Sequence, residues 1–193
     1  MFVYRIFKNM ILKIDDNILL ELTWAKHAKG LFEAVDANRK HLSEFLPWVG
    51  NMKTIVDFEE YIRNCESLYR QKKEISFVIF FEKKVIGRIG LHHINMDNKT
   101  AAIGYWITKD AQGKGIITKS CKKLISFGFN ETNLHRIEIK AAVENLKSQA
   151  IPKKLNFIKE GILREAELVN GKYLDIVLFS MLENEWKEEE NIL

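Results

Sequence analysis

The stretch Gln112-Gly113-Lys114-Gly115-Ile116-Ile117 joins an apolar, strand-like run, Ile103 to Ile107, to an amphipathic helical run, Ile116 to Phe129. A glycine-rich backbone at a strand-to-helix junction leaves N–H groups unpaired, and the helix dipole adds partial positive charge at the same place. The junction predicts an anion cradle suited to phosphate or pyrophosphate, with Lys114 adding a mobile cation. What the chain does then turns on which phosphate-bearing molecule sits there.

Working outward, three strands precede the loop: Ile75 to Phe81, Val85 to Ile94 and Thr100 to Ile107, joined by tight polar turns as an antiparallel meander. Before them, Ile11 to Leu22 reads as a hairpin around Asp15-Asp16-Asn17. Trp24, Ala28, Leu31, Phe32 and Val35 then fall at helical spacing behind Thr23, a candidate N-cap. A short helix carries Leu42, Phe45 and Leu46 and is stopped by Pro47. A longer one starts at Thr54, which forms a capping-box pattern with Asp57; Ile55, Ile62, Cys65 and Tyr69 share its face.

After the loop and its helix, Arg136 to Val143 alternates apolar and polar residues as a strand. A short helix near Ser148 to Leu155 carries an awkward Pro152 and ends at Asn156, which tolerates a left-handed C′ position. Asn170-Gly171 is a type I′ hairpin signal between Phe157 to Val169 and Tyr173 to Leu182. The fold class is therefore α+β, with one strand–helix–strand crossover carrying the glycine loop.

The 193 residues are expected to form a single domain over 1–193, with a core at about 10–183 and a charged, solvated tail at 184–193. A net charge of +4 is too small to argue for nucleic acid, and the basic residues form no aromatic-basic stripe. No apolar run approaches the ~20 residues that span a bilayer. Arg5 and Lys8 interrupt the apolar residues of Met1 to Met10, so no secretory signal is read there, and a cytoplasmic location is expected. Cys65 and Cys121 fall in helical patterns and read as reduced and inert. No His/Cys cluster suggests a metal.

The two familiar nucleotide loops fit poorly. Gly113 and Gly115 lack the third glycine of the dinucleotide fingerprint, and no Gly-Lys-Ser/Thr stands at P-loop spacing. Gln112 to Ile116 instead resembles the pyrophosphate loop of the GCN5-related N-acetyltransferases (GNAT), Gln/Arg-x-x-Gly-x-Gly/Ala, with Ile117 departing from the last position. Ile103-Gly104-Tyr105-Trp106-Ile107, Asn133-Leu134-His135-Arg136-Ile137 and Asn145-x-x-Ser148 are similar to the RimJ/RimL branch, which acetylates protein N-terminal amines. The similarity covers roughly residues 10 to 183.

The resemblance implies a mixed, mostly antiparallel sheet of about seven strands with a splayed parallel pair, here Ile103–Ile107 and Arg136–Val143. It implies acetyl-coenzyme A as cosubstrate, its pyrophosphate on the amides of Gln112, Gly113, Lys114, Gly115, Ile116 and Ile117, and its pantetheine arm along an edge supplied by Ile107 and Thr108. Asn145 and Ser148 fall where the family contacts the carrier near its sulfur, and Ser148 could donate to the departing thiolate. Either residue could equally cap the following helix. Glu167 matches a candidate base. Glu160 and Glu165 are nearby, and 165 and 167 share a face if no bulge intervenes. Glu167 could take a proton, attract a cationic amine, or be surface.

Other residues stay open. Gly104 reads as a bulge, a close approach, or a packing glycine beneath Tyr105 or Trp106. His92 and His93 would face opposite sides of one strand, so one at most lines a groove. His135 carries no assignment. Trp24, Trp48, Trp106 and Tyr105 read as core, with Trp48 a candidate lip of the acceptor groove. The run Ile176-Val177-Leu178-Phe179 is too continuous for a sheet with one wet face, so helices or a second subunit cover it, and a homodimer is expected.

The expected activity is acetyl transfer to a protein or peptide N-terminus, ribosomal proteins included, by direct attack in a ternary complex. A small amine acceptor (polyamine, aminoglycoside or amino acid) and a non-catalytic acyl-coenzyme A-binding module are the alternatives.

Overall fold

The computed structural model describes residues 10–187. The stretch read for a secretory signal lies almost wholly outside them, as does the tail from residue 188. Strands β1 (Ile11–Lys13), β2 (Ile18–Leu22), β3 (Ile75–Phe81), β4 (Lys84–Asn95), β5 (Thr100–Ile107), β6 (Arg136–Ala142), β7 (Ile158–Val169) and β8 (Lys172–Leu182) form one sheet in the order β1-β2-β3-β4-β5-β6-β8-β7. Eight strands thus stand where about seven are expected. Every neighbouring pair is antiparallel except β5 and β6.

Strand alternation divides the core in two. Odd-numbered residues of β3 to β5, including Phe77, Ile89 and Ile103, pack with α4 (Ile116–Thr132) through Ile117, Cys121 and Leu124. Val78 and Trp106 point to the other face, against α1 (Ala28–Asp36) and α3 (Ile55–Arg70) through Leu31, Val35, Phe58 and Ile62. Each fully buried aliphatic or aromatic side chain of this kind contributes about 1.5–3 kcal/mol. The two faces therefore present different helices to any ligand lodged in the sheet.

Several local expectations change. Thr23 does not cap a helix: Trp24 precedes a 3₁₀ turn (Ala25–His27), and the Trp24 N–H donates to His27 Nδ1 at 3.0 Å. Only Arg39–Leu42 is helical in the next segment (α2), and Pro47 opens a 3₁₀ turn rather than merely stopping a helix. The Thr54–Asp57 capping box forms, as does a left-handed Asn156. Gly104 pairs regularly with Gly90; a Cβ on it would meet the His92 ring at 3.2 Å, not Tyr105 or Trp106. The irregularity lies further along, where His93 takes a left-handed conformation and the β4–β5 register shifts.

The late hairpin is bulged as well. Between Leu163 and Glu167 three residues face one on β8, and Glu165 is left-handed, with its N–H on Asp175 Oδ1 at 2.8 Å. Simple alternation between 165 and 167 therefore fails. In the run Ile176–Phe179, Val177 and Phe179 are buried toward α4, and Ile176 is buried with Ala142, Val169, Leu174 and Phe45. That run carries no argument for a second subunit. The tail starts ordered: Glu183–Glu185 make a 3₁₀ turn, and Trp186 packs on the core with its Nε1–H on Ser126 Oγ at 3.1 Å.

Candidate active site

β5 and β6 pair only from Thr100↔Arg136 to Ile103↔Ile139. Beyond Ile103 the two strands part, while β5 stays paired to β4 and β6 to β8. The Thr108 N–H donates to the Ile86 carbonyl at 2.7 Å, so its backbone faces β4. Backbone direction alternates along a strand. The free edge is therefore supplied by Tyr105 and Ile107. Thr108, expected to share that role, does not, because its amide is already spent and its side chain is buried.

At the open end of the split lies the glycine loop. Gly113 and Gly115 have φ of +76° and +74°, which L residues adopt only at a cost of about 1–2 kcal/mol. The N–H groups of Gly113, Lys114, Gly115, Ile116 and Ile117 find no acceptor among the described residues. No side chain caps α4. Open space lies where a Cβ on either glycine would point. The Gln112 N–H is different: it closes a turn onto the Lys109 carbonyl at 3.3 Å, so the cradle runs over 113–117. Charge-assisted hydrogen bonds contribute about 1.5–3 kcal/mol each, so five convergent donors fit a diphosphate.

Around the loop, the Gln112 side chain lies between His41 Nε2 (2.7 Å) and Lys147 Nζ (3.0 Å). Burial lowers the His41 pKa, and Lys147 and Lys109 push the same way. Lys114 rests over the Phe81 ring at 5.2 Å. Lys147, which the sequence pattern does not single out, is thus a further cation beside the cradle.

The other site residues gather on α5 (Leu146–Lys154). The Asn145 side chain caps this helix by accepting the Ser148 N–H at 3.0 Å, so capping falls to Asn145 and leaves the Ser148 hydroxyl free of that task. Ser148 Oγ donates to Tyr105 Oη at 3.2 Å, and Tyr105 Oη donates to the Ser148 carbonyl at 2.9 Å. Pro152 explains the second bond. It has no N–H for the carbonyl four residues back, so the Ser148 carbonyl takes a donor from β5 instead. Tyr105 is the residue that the sequence pattern misses; Pro152 at position 148 + 4 is the one local sign of it. Burial raises the phenol of Tyr105 far above its ordinary range.

Of the three glutamates, Glu160 is occupied: Arg136 binds it with two hydrogen bonds of 2.6 Å, and Ser180 adds one at 2.7 Å. Those bonds hold its carboxyl down at about 2. Glu165 sits in the bulge. Glu167 stands opposite Leu174 and two residues from Val169, hence on the face of β7–β8 that meets Phe45 beside α2. Partial burial raises its carboxyl above the ordinary value. Trp48, half-buried, packs 6.1 Å from Trp106 on that same side of the sheet.

The model of the acetyltransferase (GNAT) domain matches residues 17–158. YdaF of Bacillus subtilis (strain 168) is 36% identical over 179 residues, 92% of this chain and 98% of that one. The ribosomal-protein-serine acetyltransferase of Escherichia coli (strain K12) is 30% identical over 171 residues, 89% and 96% of the two chains. The solved structure of RimL, a ribosomal L7/L12 alpha-N-protein acetyltransferase in complex with coenzyme A, superimposes with a TM-score of 0.87 at 25% identity, covering 90% of this chain and 98% of that one. The chain therefore belongs to the GNAT family of acetyl-coenzyme A-dependent N-acetyltransferases.

Proposed function

We propose that this acetyltransferase modifies the N-terminal amine of a protein or peptide, with ribosomal proteins as the acceptor class. The observation that carries this is the two-sided split. Tyr105, Ser148 and the amide cradle lie toward α4 and α5, whereas Gly104, half-exposed, opens onto the face shared with α1, α3 and Glu167. Both substrates can occupy the split together. Acceptor class is supported by likeness to the Escherichia coli ribosomal-protein-serine enzyme over most of both chains.

Acetyl-coenzyme A supplies an activated acyl group as its thioester. The chain's own groups then bind, orient and move protons. Amides 113–117 fix the diphosphate, and the Tyr105–Ile107 edge aligns the arm. Ser148 carries one O–H, which rests on Tyr105 Oη, and donation to the leaving sulfur requires that O–H to turn from the phenol to the thiolate. Neither cysteine fits an acyl-carrying role: burial pushes Cys65 up to about 11 and Cys121 higher still, and Arg88 donates to Cys65 Sγ at 3.1 Å. Transfer is direct. An α-amine titrates near 7.7–8.0, so removing its proton at neutral pH is easier than for lysine.

Two substitutions divide the labour. Ser148→Ala is expected to lower kcat about 10-fold or more while the Kd for acetyl-coenzyme A stays within about 2-fold. An unchanged kcat would remove Ser148 from the chemistry. Glu167→Gln distinguishes a base from an electrostatic guide. Loss of a base lowers kcat, and rising pH partly restores it; loss of a guide raises the acceptor KM.

The acceptor is tested by coenzyme A release against peptides with varied N-termini, polyamines and aminoglycosides. Turnover with peptides whose α-amine is free, and none when it is blocked, is expected. Turnover confined to polyamines or aminoglycosides would overturn the acceptor class, and carrier binding without release would overturn catalysis.

A further inference from the structure

A buried polar group lies outside the residues assigned above, at the apex of the split. Glu74, just before β3, is buried and accepts from Arg88 through Oε1. Its other oxygen, Oε2, lies 3.1 Å from His92 Nδ1. The His92 ring lies near two glycines. A Cβ on Gly90 would come within 3.0 Å of Nε2, and one on Gly104 within 3.4 Å of the same nitrogen. Gly104 is the first residue of β5 past its last pairing with β6. The imidazole thus reaches the point where the free edge starts, on the face away from Ser148.

Resting on the acetyltransferase reading, we propose that His92, held by Glu74, is the group that takes the proton of the acceptor amine. A carboxylate at Nδ1 keeps that nitrogen protonated and leaves a lone pair on Nε2. Gly104, half-exposed at the split, leaves Nε2 open there, and a side chain on it would crowd that nitrogen; Gly90 is closed by Ser76, whose Cβ lies 2.8 Å from where its own Cβ would stand. The step balances simply. The amine lone pair forms the N–C bond to the acetyl carbon, the C–S pair leaves on sulfur, and the nitrogen's proton passes to Nε2. The imidazolium so formed is opposed by Glu74. Among the described residues, the other charged groups on this face are Arg88 on its own strand and, beyond Ala102 on β6, Glu138, which is tied to Arg136 at 2.9 Å and to Lys140 at 3.5 Å. Tyr61 and Cys65 of α3 bind Arg88 and neutralise nothing. On this account Glu167 draws in the cationic amine and His92 takes its proton.

The test uses the full chain with acetyl-coenzyme A and a peptide acceptor. His92→Asn is expected to lower kcat about 10²–10³-fold, with the acetyl-coenzyme A Kd unchanged. In His92→Ala, which leaves a ring-sized gap near the two glycines, added imidazole restores turnover in proportion to its concentration. On the unmodified protein, ¹⁵N resonances of His92 are expected to report a protonated Nδ1 and an unprotonated Nε2, which reads the dyad without any variant. Wild-type turnover in His92→Asn, or a proton on Nε2 in the resting protein, overturns the assignment. If the wild-type chain releases coenzyme A with no amine at all, the acetyltransferase reading itself falls and the assignment with it.

Discussion

Replacing Gly115 by valine is expected to weaken acetyl-coenzyme A binding about 100-fold while costing the fold only about 1–2 kcal/mol. The small cost follows from the backbone. At φ +74° a β-branched residue is strained, but beyond its own chain neighbours no residue comes within 4 Å of where its Cβ would sit. The large loss follows from the ligand. That same space is where the diphosphate must approach the amides of 113–117, and relieving the strain would turn those amides away. Losing one charge-assisted hydrogen bond, at about 1.5–3 kcal/mol, corresponds to roughly 10- to 150-fold in affinity. Calorimetric titration with a melting curve checks both halves. Unchanged affinity would mean that the diphosphate rests elsewhere; a collapse in stability would mean that the loop is structural.

Glu74→Gln carries the largest expected effect on folding. Arg88 is fully enclosed, and its guanidinium donates to Glu74, Ser76 Oγ, Tyr61 Oη and Cys65 Sγ. Removing the one carboxylate leaves a buried charge without its counter-ion, which costs about 3–5 kcal/mol. For a chain of this length that is a fall in Tm of roughly 10 °C. Replacing both partners together, Glu74→Leu with Arg88→Met, should recover much of the loss, because packed apolar groups also avoid the desolvation. The pH arm has a definite sign. Burial pushes the Glu74 carboxyl up, but the His92 hydrogen bond and the Arg88 charge outweigh it and hold it at about 2. A carboxyl depressed on folding contributes stability that is complete above its ordinary 4.5 and is lost as pH falls toward about 2. Wild type should lose that increment across this window, and Glu74→Gln should not.

The cradle was legible because it is local. Two glycines between a period-two run and a period-3.6 run mark bare amides wherever the rest of the chain goes. Thr54–Asp57, Asn156 and Asn170-Gly171 are legible for the same reason: each is satisfied within a few residues. What depends on register was not. Which residues offer the free edge turns on whether the Thr108 amide points at β4, and only the pairing with Ile86 decides that. The Tyr105–Ser148 contact spans 43 residues and arises because Pro152 leaves a carbonyl without a donor. His92 looked like a strand residue with an ordinary neighbour, but the bulge at His93 and the contact with Glu74 give its ring a definite direction. Trp186 docks although it sits in a charge run, because one large apolar face outweighs the exposure preference of its neighbours.

Amide resonances of the ¹⁵N-labelled chain, followed as acetyl-coenzyme A is added, test the central claim most directly. Gly113, Lys114, Gly115, Ile116 and Ile117 should move together and saturate at one ligand per chain, with Tyr105 and Ile107 following along the split. If those five stay still while others respond, or if no resonance moves, the carrier is not held where strand β5 gives way to α4, and the assignment of every group around it fails.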